Sequence, residues 1–164
     1  MTMKDYGHTL VAKIISGGQT GADMLFSRLA KSLGLETGGL LPKGFLTLAG
    51  KKPEYAREFN MQEDSSYAYP PRTRKNVANS DGTIILVKDP NNLGRGSTLT
   101  RNEALKAGKP HLVITTNTPA SKIRDWIVRN DIKTLNGAGN RDLGGAHRES
   151  EISNTLREVF TQKA

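Results

Sequence analysis

Residues 16 to 23, Ser-Gly-Gly-Gln-Thr-Gly-Ala-Asp, set three glycines between an apolar run and an amphipathic one. This is the composition of a loop whose backbone N–H groups curl around an oxyanion, the following helix start adding unpaired donors and the positive end of a dipole. Gly17, Gly18 and Gly21 would let the anion approach the backbone. Ser16, Gln19 and Thr20 can add side-chain hydrogen bonds, and Asp23 suits a ribose hydroxyl or the first turn of a helix. The same residues also fit a tight turn followed by a capping aspartate. No Gly-Lys-Ser/Thr follows, so this is not a Walker A loop, and the glycine spacing is not G-x-G-x-x-G.

A second glycine-and-hydroxyl stretch lies at residues 88 to 104, KDPNNLGRGSTLTRNEA. Gly94, Gly96, Ser97 and Thr98 form another candidate anion cradle, with Arg95 and Arg101 supplying charge. Glu103 stands three residues after Thr100, which is capping-box spacing, and is also a candidate acid. Arg72, Arg74 and Lys75, expected on a short helix, could clamp a phosphate or lie solvated. Asp81 precedes Gly82 as a turn signal and is a further candidate acid. In the glycine-rich connection 135 to 150, Asn136, Arg141 and Arg148 could close a pocket. His8, His111 and His147 have no metal-ligand spacing, so no metal site is expected.

The elements that must position these residues follow from periodicity. Residues 10 to 15, 82 to 87 and 111 to 115 are short apolar runs of strand type, and 131 to 135 is a weaker one. Helical stripes run over 22 to 33, from about 100 to 107, from 118–119 onward with Ile123, Trp126 and Ile127, and finally through Ile152, Leu156, Val159 and Phe160. Apolar strands alternating with helices predict an α/β, Rossmann-like three-layer sandwich with a mostly parallel sheet. Residues 43 to 71 show no period, which predicts an irregular, lid-like segment in a single domain spanning 1–164.

At 164 residues the chain can bury a core of its own. It has no cysteine, which excludes disulfides and thiolate metal sites, and no apolar run approaches the roughly 20 residues of a membrane span. A cytoplasmic protein without a membrane role is expected. The formal charge of +8 either serves solubility or gathers an anionic partner. Aromatic residues make up 5% of the chain and the basic residues are scattered, so nucleic acid is not favoured as that partner.

Taken in order, IISGGQTGAD, the Gly38-Gly39 pair, Pro42-Lys43-Gly44, Arg72-Thr73, Asn76-Val77, SDGT at 80 to 83 and Gly96-Ser97-Thr98 with Thr100 resemble the putative molybdenum carrier family. That family lies within the SLOG superfamily of Rossmann-like proteins, beside cytokinin-activating phosphoribohydrolases and the DNA-processing protein DprA. The resemblance covers about residues 12 to 150. It implies a nucleotide-like or molybdopterin-like ligand with its phosphate on the Gly17–Gly21 loop and on Gly96 to Thr98. It adds Lys43, Asn76 and Thr100 to the ligand-binding candidates. The phosphoribohydrolase signature P-G-G-x-G-T-x-x-E is incomplete: the proline is missing, Arg95 replaces the second glycine, and Thr100 stands near the place of the acid.

The expected function is therefore binding of a phosphate-bearing small ligand, as carrier, sensor or sequestering protein. A phosphoribohydrolase-type nucleotide hydrolase and a single-stranded DNA binder are the alternatives. Domains of this class commonly pair through exposed helices, so a homo-oligomer is expected.

Overall fold

The computed structural model describes residues 9–162; His8 lies outside them. The chain opens with β1 (Lys13–Ser16), α1 (Ala22–Ser32), β2 (Glu36–Gly38) and β3 (Leu40–Leu41). Next come β4 (Leu46–Thr47), β5 (Gly50–Lys51), α2 (Tyr55–Glu58), β6 (Gln62–Glu63) and α3 (Tyr69–Ala78). The second half alternates regularly: β7 (Gly82–Leu86), α4 (Arg95–Ala107), β8 (His111–Ile114), α5 (Ala120–Arg129), β9 (Thr134–Gly139) and α6 (Ala146–Phe160).

A five-stranded sheet, ordered β2-β1-β9-β7-β8 and parallel throughout, forms the centre. Helices α1, α5 and α6 pack together on one side, and α3 packs on α4 on the other. This is the expected three-layer Rossmann-like α/β sandwich. Alternation along β7 shows why its strand is apolar on both faces: Ile84 and Leu86 enter the core under α1, α5 and α6, while Ile85 joins Val87 and Leu93 in a separate cluster. The main core is built from the helical stripes, with Phe26, Ile123, Ile127, Leu156 and Phe160 against Ile14, Ile114 and Leu135.

Two expectations change. The glycine-rich run after Leu135 is not a connection: it continues the central strand β9 to Gly139, and the strand starts only at Thr134, because Asp131 sits in a left-handed turn at φ 51. Glycine is needed in β9 because the sheet is pressed there by α1, where a Cβ on Gly137 would stand 2.3 Å from Phe26 Cγ. Helix α4 begins at Arg95, not near Thr100, with Gly94 as its N-cap. Residue 100 is therefore interior, and its hydroxyl donates to the Gly96 carbonyl at 3.0 Å, so the capping-box reading of Thr100 and Glu103 is overturned.

Residues 43–71 contain β4, β5, α2, β6 and the start of α3. Elements of two to four residues are shorter than any periodicity can register. Tyr55, Phe59 and Met61 bury against Met24 and Leu41, a small second core that fixes this segment to α1.

The topology sets the place of a site. From β1 the chain moves through α1 to one sheet edge, from β7 it moves through α4 to the other, and β9 fills the gap between them. Loops leaving the carboxyl ends of β1, β9 and β7 therefore diverge around a crevice, the usual ligand position in an open parallel sheet.

Candidate functional site

A cavity of about 770 Å³ occupies that crevice. Its walls come from the β1–α1 loop (Gln19, Asp23), the start of α3 (Tyr69, Arg72), the β7–α4 loop and first turns of α4 (Gly94 to Ser97, Thr100), and the end of β9 (Asn140, Arg141).

The two expected anion cradles have opposite fates. In the β1–α1 loop the protein's own groups fill the space beside each glycine. A Cβ on Gly17 would stand 1.9 Å from Arg72 Nη1, one on Gly18 2.5 Å from Leu41 Cδ1, and one on Gly21 2.2 Å from the Arg141 carbonyl oxygen. The first N–H of α1 is also spent, since Ala22 donates to the Asn140 carbonyl at 2.9 Å. Gly17, Gly18 and Gly21 therefore serve close packing, and none of them lines the cavity. Thr20 is exposed and lies outside the lining as well.

The second cradle is open. Helix α4 has no side-chain cap, and nothing stands within 4 Å of a Cβ placed on Gly96. Arg95, Gly96 and Ser97 open the first turn of α4 onto the cavity, so orphan N–H groups and the positive end of the helix dipole meet its space. Asn140, which the sequence did not single out, holds this turn in place. Its Nδ2 donates to the Leu93 carbonyl at 2.7 Å and to Ser97 Oγ at 3.3 Å, while its Oδ1 accepts the Lys88 N–H at 2.9 Å. A single asparagine in a glycine-rich run carries no local pattern that would mark it.

Around the same cavity stand Arg72, Arg95 and Arg141, none of which makes a salt bridge among the described residues. The guanidinium carbons of Arg72 and Arg141 each lie 5.3 Å from the centre of the Tyr69 ring. Arg72 Nε is buried without a hydrogen-bond partner, and burial pulls the guanidinium below its ordinary pKa, opposed by Asp23. Asp23 is 6% exposed. Burial pushes its carboxyl up to about 6, against the pull of Arg72 and of the Gln19 N–H that donates to Oδ2 at 3.2 Å. Gln19 is itself a strut: its Nε2 donates to the carbonyls of Gly17 and Leu46, both at 3.1 Å.

Of the remaining candidates, Ser97 and Thr100 line the cavity, and Thr98, one turn in on α4, does not. Arg141, not Arg148, reaches the site; the Arg148 side chain lies over Gly144. Asn76 donates to and accepts from the Leu40 backbone at 3.0 and 2.9 Å, and lines a separate hollow of about 250 Å³ beside β2 with Lys13, Asn60 and Gln62. Asp81 accepts the N–H groups of Lys133 and Thr134 at 3.0 and 2.8 Å, which makes it a turn clamp. Asn136 reaches Thr83 within the sheet. Lys43 sits over the exposed ring of Tyr67. Glu103 is buried between α3 and α4, paired with Arg74 at 3.5 Å, and is not part of the cavity wall. Among the described residues no three His, Asp or Glu gather into a metal-binding cluster, and no helix is long and apolar enough to cross a membrane.

Comparison with known proteins places this geometry among relatives. Residues 14–162 match the model of the circularly permutated YpsA SLOG family. A crystal structure described as a putative molybdenum carrier protein from Syntrophus aciditrophicus SB is similar at 36% identity with a TM-score of 0.82, covering 94% of this chain and 98% of its own. No curated protein matches the chain.

Proposed function

The chain belongs to the circularly permutated YpsA SLOG family, and we propose that it binds a phosphate-bearing, nucleotide-like or pterin-like small ligand in the cavity at the end of the sheet. One observation carries the reading: the uncapped start of α4 and three guanidinium groups without carboxylate partners among the described residues face a single cavity. Arg72 is the buried one of the three, its Nε without a hydrogen-bond partner, and a buried cation short of partners next to a helix N-terminus is costly unless an anion offsets it. Tyr69, Leu93 and Leu99 supply the apolar wall that a ring system requires.

The Syntrophus protein's description names a molybdenum carrier. For this chain, the donor set suits the phosphate and ring of such a ligand, since arginines and backbone N–H groups recognise oxyanions and do not ligate a metal. Carrying, sensing or sequestering such a ligand requires only binding. Mass spectrometry of small molecules released from the purified, denatured protein is the test. A stoichiometric phosphate-bearing compound is expected; protein that releases none and fails to bind any member of a nucleoside-phosphate and pterin panel overturns the reading.

Hydrolysis of a nucleotide is the second reading, and of its three candidate acids, Glu103, Asp81 and Asp23, Asp23 is the one that lines the cavity. Asp23 is the cavity's own buried carboxyl, and with a pKa near 6 it can hold a proton for a departing base. Free base released from nucleoside monophosphates, and lost in Asp23→Asn, would establish it. Single-stranded DNA is less favoured because the arginines converge in a cavity and do not line a groove; DNA affinity that collapses with salt would instead support it.

A further inference from the structure

In the β1–α1 loop the protein's own groups take the space beside each glycine, and those groups form a second cationic place. Arg72 lies on Gly17, the Arg141 backbone lies on Gly21, and both guanidinium groups come to the ring of Tyr69. They repel one another, which adds to the lowering of the Arg72 pKa. Neither guanidinium makes a salt bridge among the described residues, the Asp23 carboxylate acts on both through its charge, and Arg72 Nε has no hydrogen-bond partner. Protonation of Asp23 as pH falls through about 6 removes that negative charge and leaves the neighbourhood more positive. This pair is adjacent to the open start of α4. Asn140, next in the chain to Arg141, hydrogen-bonds Ser97 in the first turn of that helix, and its Nδ2 would stand 3.8 Å from a Cβ on Gly94.

We propose that the ligand carries two neighbouring anionic groups, as in a diphosphate: one on the α4 N-terminus beside Arg95, the other between Arg72 and Arg141 against Tyr69. This rests on the phosphate-binding reading above and deepens it, because one phosphate on α4 leaves two guanidinium groups with the single Asp23 carboxylate to offset them. Contiguity through Asn140 favours a diphosphate over two phosphates at opposite ends of a ligand. Each guanidinium can give two parallel N–H donors to a phosphate, which a lysine cannot.

Calorimetric titration at fixed ionic strength tests this with inorganic phosphate, pyrophosphate, nucleoside 5′-monophosphates and 5′-diphosphates, and nucleoside 3′,5′-bisphosphates. The wild type is expected to prefer diphosphate over monophosphate by at least about tenfold, the worth of one charge-assisted contact. Arg141→Ala is expected to lower diphosphate affinity more than monophosphate affinity and so erase that preference, and Arg141→Lys to restore only part of it. Arg141 is exposed, so the variant keeps the fold. Equal wild-type affinity for mono- and diphosphates overturns the inference while leaving the phosphate-binding function intact. A preference for 3′,5′-bisphosphates over diphosphates overturns the contiguous arrangement. Binding of none of these compounds overturns both readings, whereas tight pyrophosphate binding without nucleotide binding supports the paired site and refutes the nucleotide.

Discussion

The guanidinium of Arg72 rests on the Cα of Gly17: a Cβ there would stand 1.9 Å from Nη1, 2.8 Å from Cζ and 2.9 Å from Asp23 Oδ2. The glycine is thus the floor under the Arg72 guanidinium, which faces the cavity. Gly17→Ala is expected to displace Arg72 from Tyr69 and weaken anion binding about tenfold, at a stability cost of about 1 kcal/mol, since the obstructing group is the end of a flexible side chain. Calorimetry and urea unfolding of the same preparation read the two effects separately. Unchanged affinity would show that the position of Arg72 does not matter to the ligand.

Gly18 and Gly96 should respond in opposite ways to the same change. A side chain at Gly18 meets all of the Leu41 isobutyl group within 2.7 Å, in the second core, and the backbone φ of +71 is one that β-branched residues avoid. Gly18→Val is expected to lose roughly 2–4 kcal/mol of stability from overpacking and strain together. At Gly96 the space is open and φ is ordinary, so Gly96→Val should stay within about 1 kcal/mol of wild type while obstructing the α4 N-terminus and reducing phosphate affinity. If Gly18→Val folds normally and loses only ligand, the first loop is the cradle after all.

These glycines show what was and was not legible in the sequence. The alternation of strands and helices, and the helical stripes of Phe26, Ile127 and Leu156, are local patterns, and they led to the Rossmann-like sandwich and its core. Glycine next to hydroxyl residues is also local, but it reports only that something approaches the backbone. Whether the space beside the glycine is open, as at Gly96, or filled by Leu41 and Arg72, as at Gly18 and Gly17, depends for the filled ones on residues 23 and 55 positions away. For the same reason β9 was hidden inside LNGAG, where glycine answers to Phe26 more than a hundred residues earlier. Arg72, Ser97 and Asp23 were found by residue type; Tyr69 and Asn140 were not, because stacking and strut roles have no spacing of their own.

Glu103 illustrates a wrong reason attached to a structurally important residue. Its carboxyl is 5% exposed and paired with Arg74, whose side chain is 62% exposed, so the pair fastens α4 to α3 just behind the cavity wall. Arg74→Ala would leave a buried carboxylate without its partner, and a loss of about 1–2 kcal/mol is expected. Glu103→Gln should be milder, and neither should abolish anion binding in the cavity, whose wall does not include Glu103 or Arg74. A hydrolysis rate that falls in Glu103→Gln while unfolding is unaffected would return this residue to the acid role.

Replacing Asn140 tests whether the α4 turn is preorganised. Asn140→Ala removes its bonds to the Lys88 N–H, the Leu93 carbonyl and Ser97 Oγ, at the exposed mouth of the sheet and not in its core. The global stability change is expected to be about 1–2 kcal/mol, with phosphate affinity falling more steeply than stability because the donors of α4 lose their fixed direction. Hydrogen exchange should quicken at Lys88, whose N–H loses its acceptor, and at Thr98 in the loosened turn, and stay slow in β7. An affinity loss no larger than the stability loss would count against preorganisation.

The most diagnostic measurement is the pH dependence of Asp23. Its carboxyl titrates near 3.8 unfolded and near 6 folded, so between those values the native state holds a proton that the unfolded state has released. Stability contributed by this group is therefore present below about pH 4 and is lost as pH rises through 6, about 3 kcal/mol over the window. Other carboxylates titrate in the same range, so the quantity to follow is the difference between wild type and Asp23→Asn. The asparagine can still accept the Gln19 N–H but has no charge to bury. The variant should gain on the wild type from pH 4 to pH 6 and remain the more stable protein at neutral pH; a flat difference would mean that Asp23 titrates normally. Protonation also removes the negative charge beside Arg72, so affinity in the wild type for an anion of fixed charge, such as sulfate, should rise as pH falls through 6. In Asp23→Asn that rise should vanish, which ties the buried acid to the ligand and separates it from the protein's general titration.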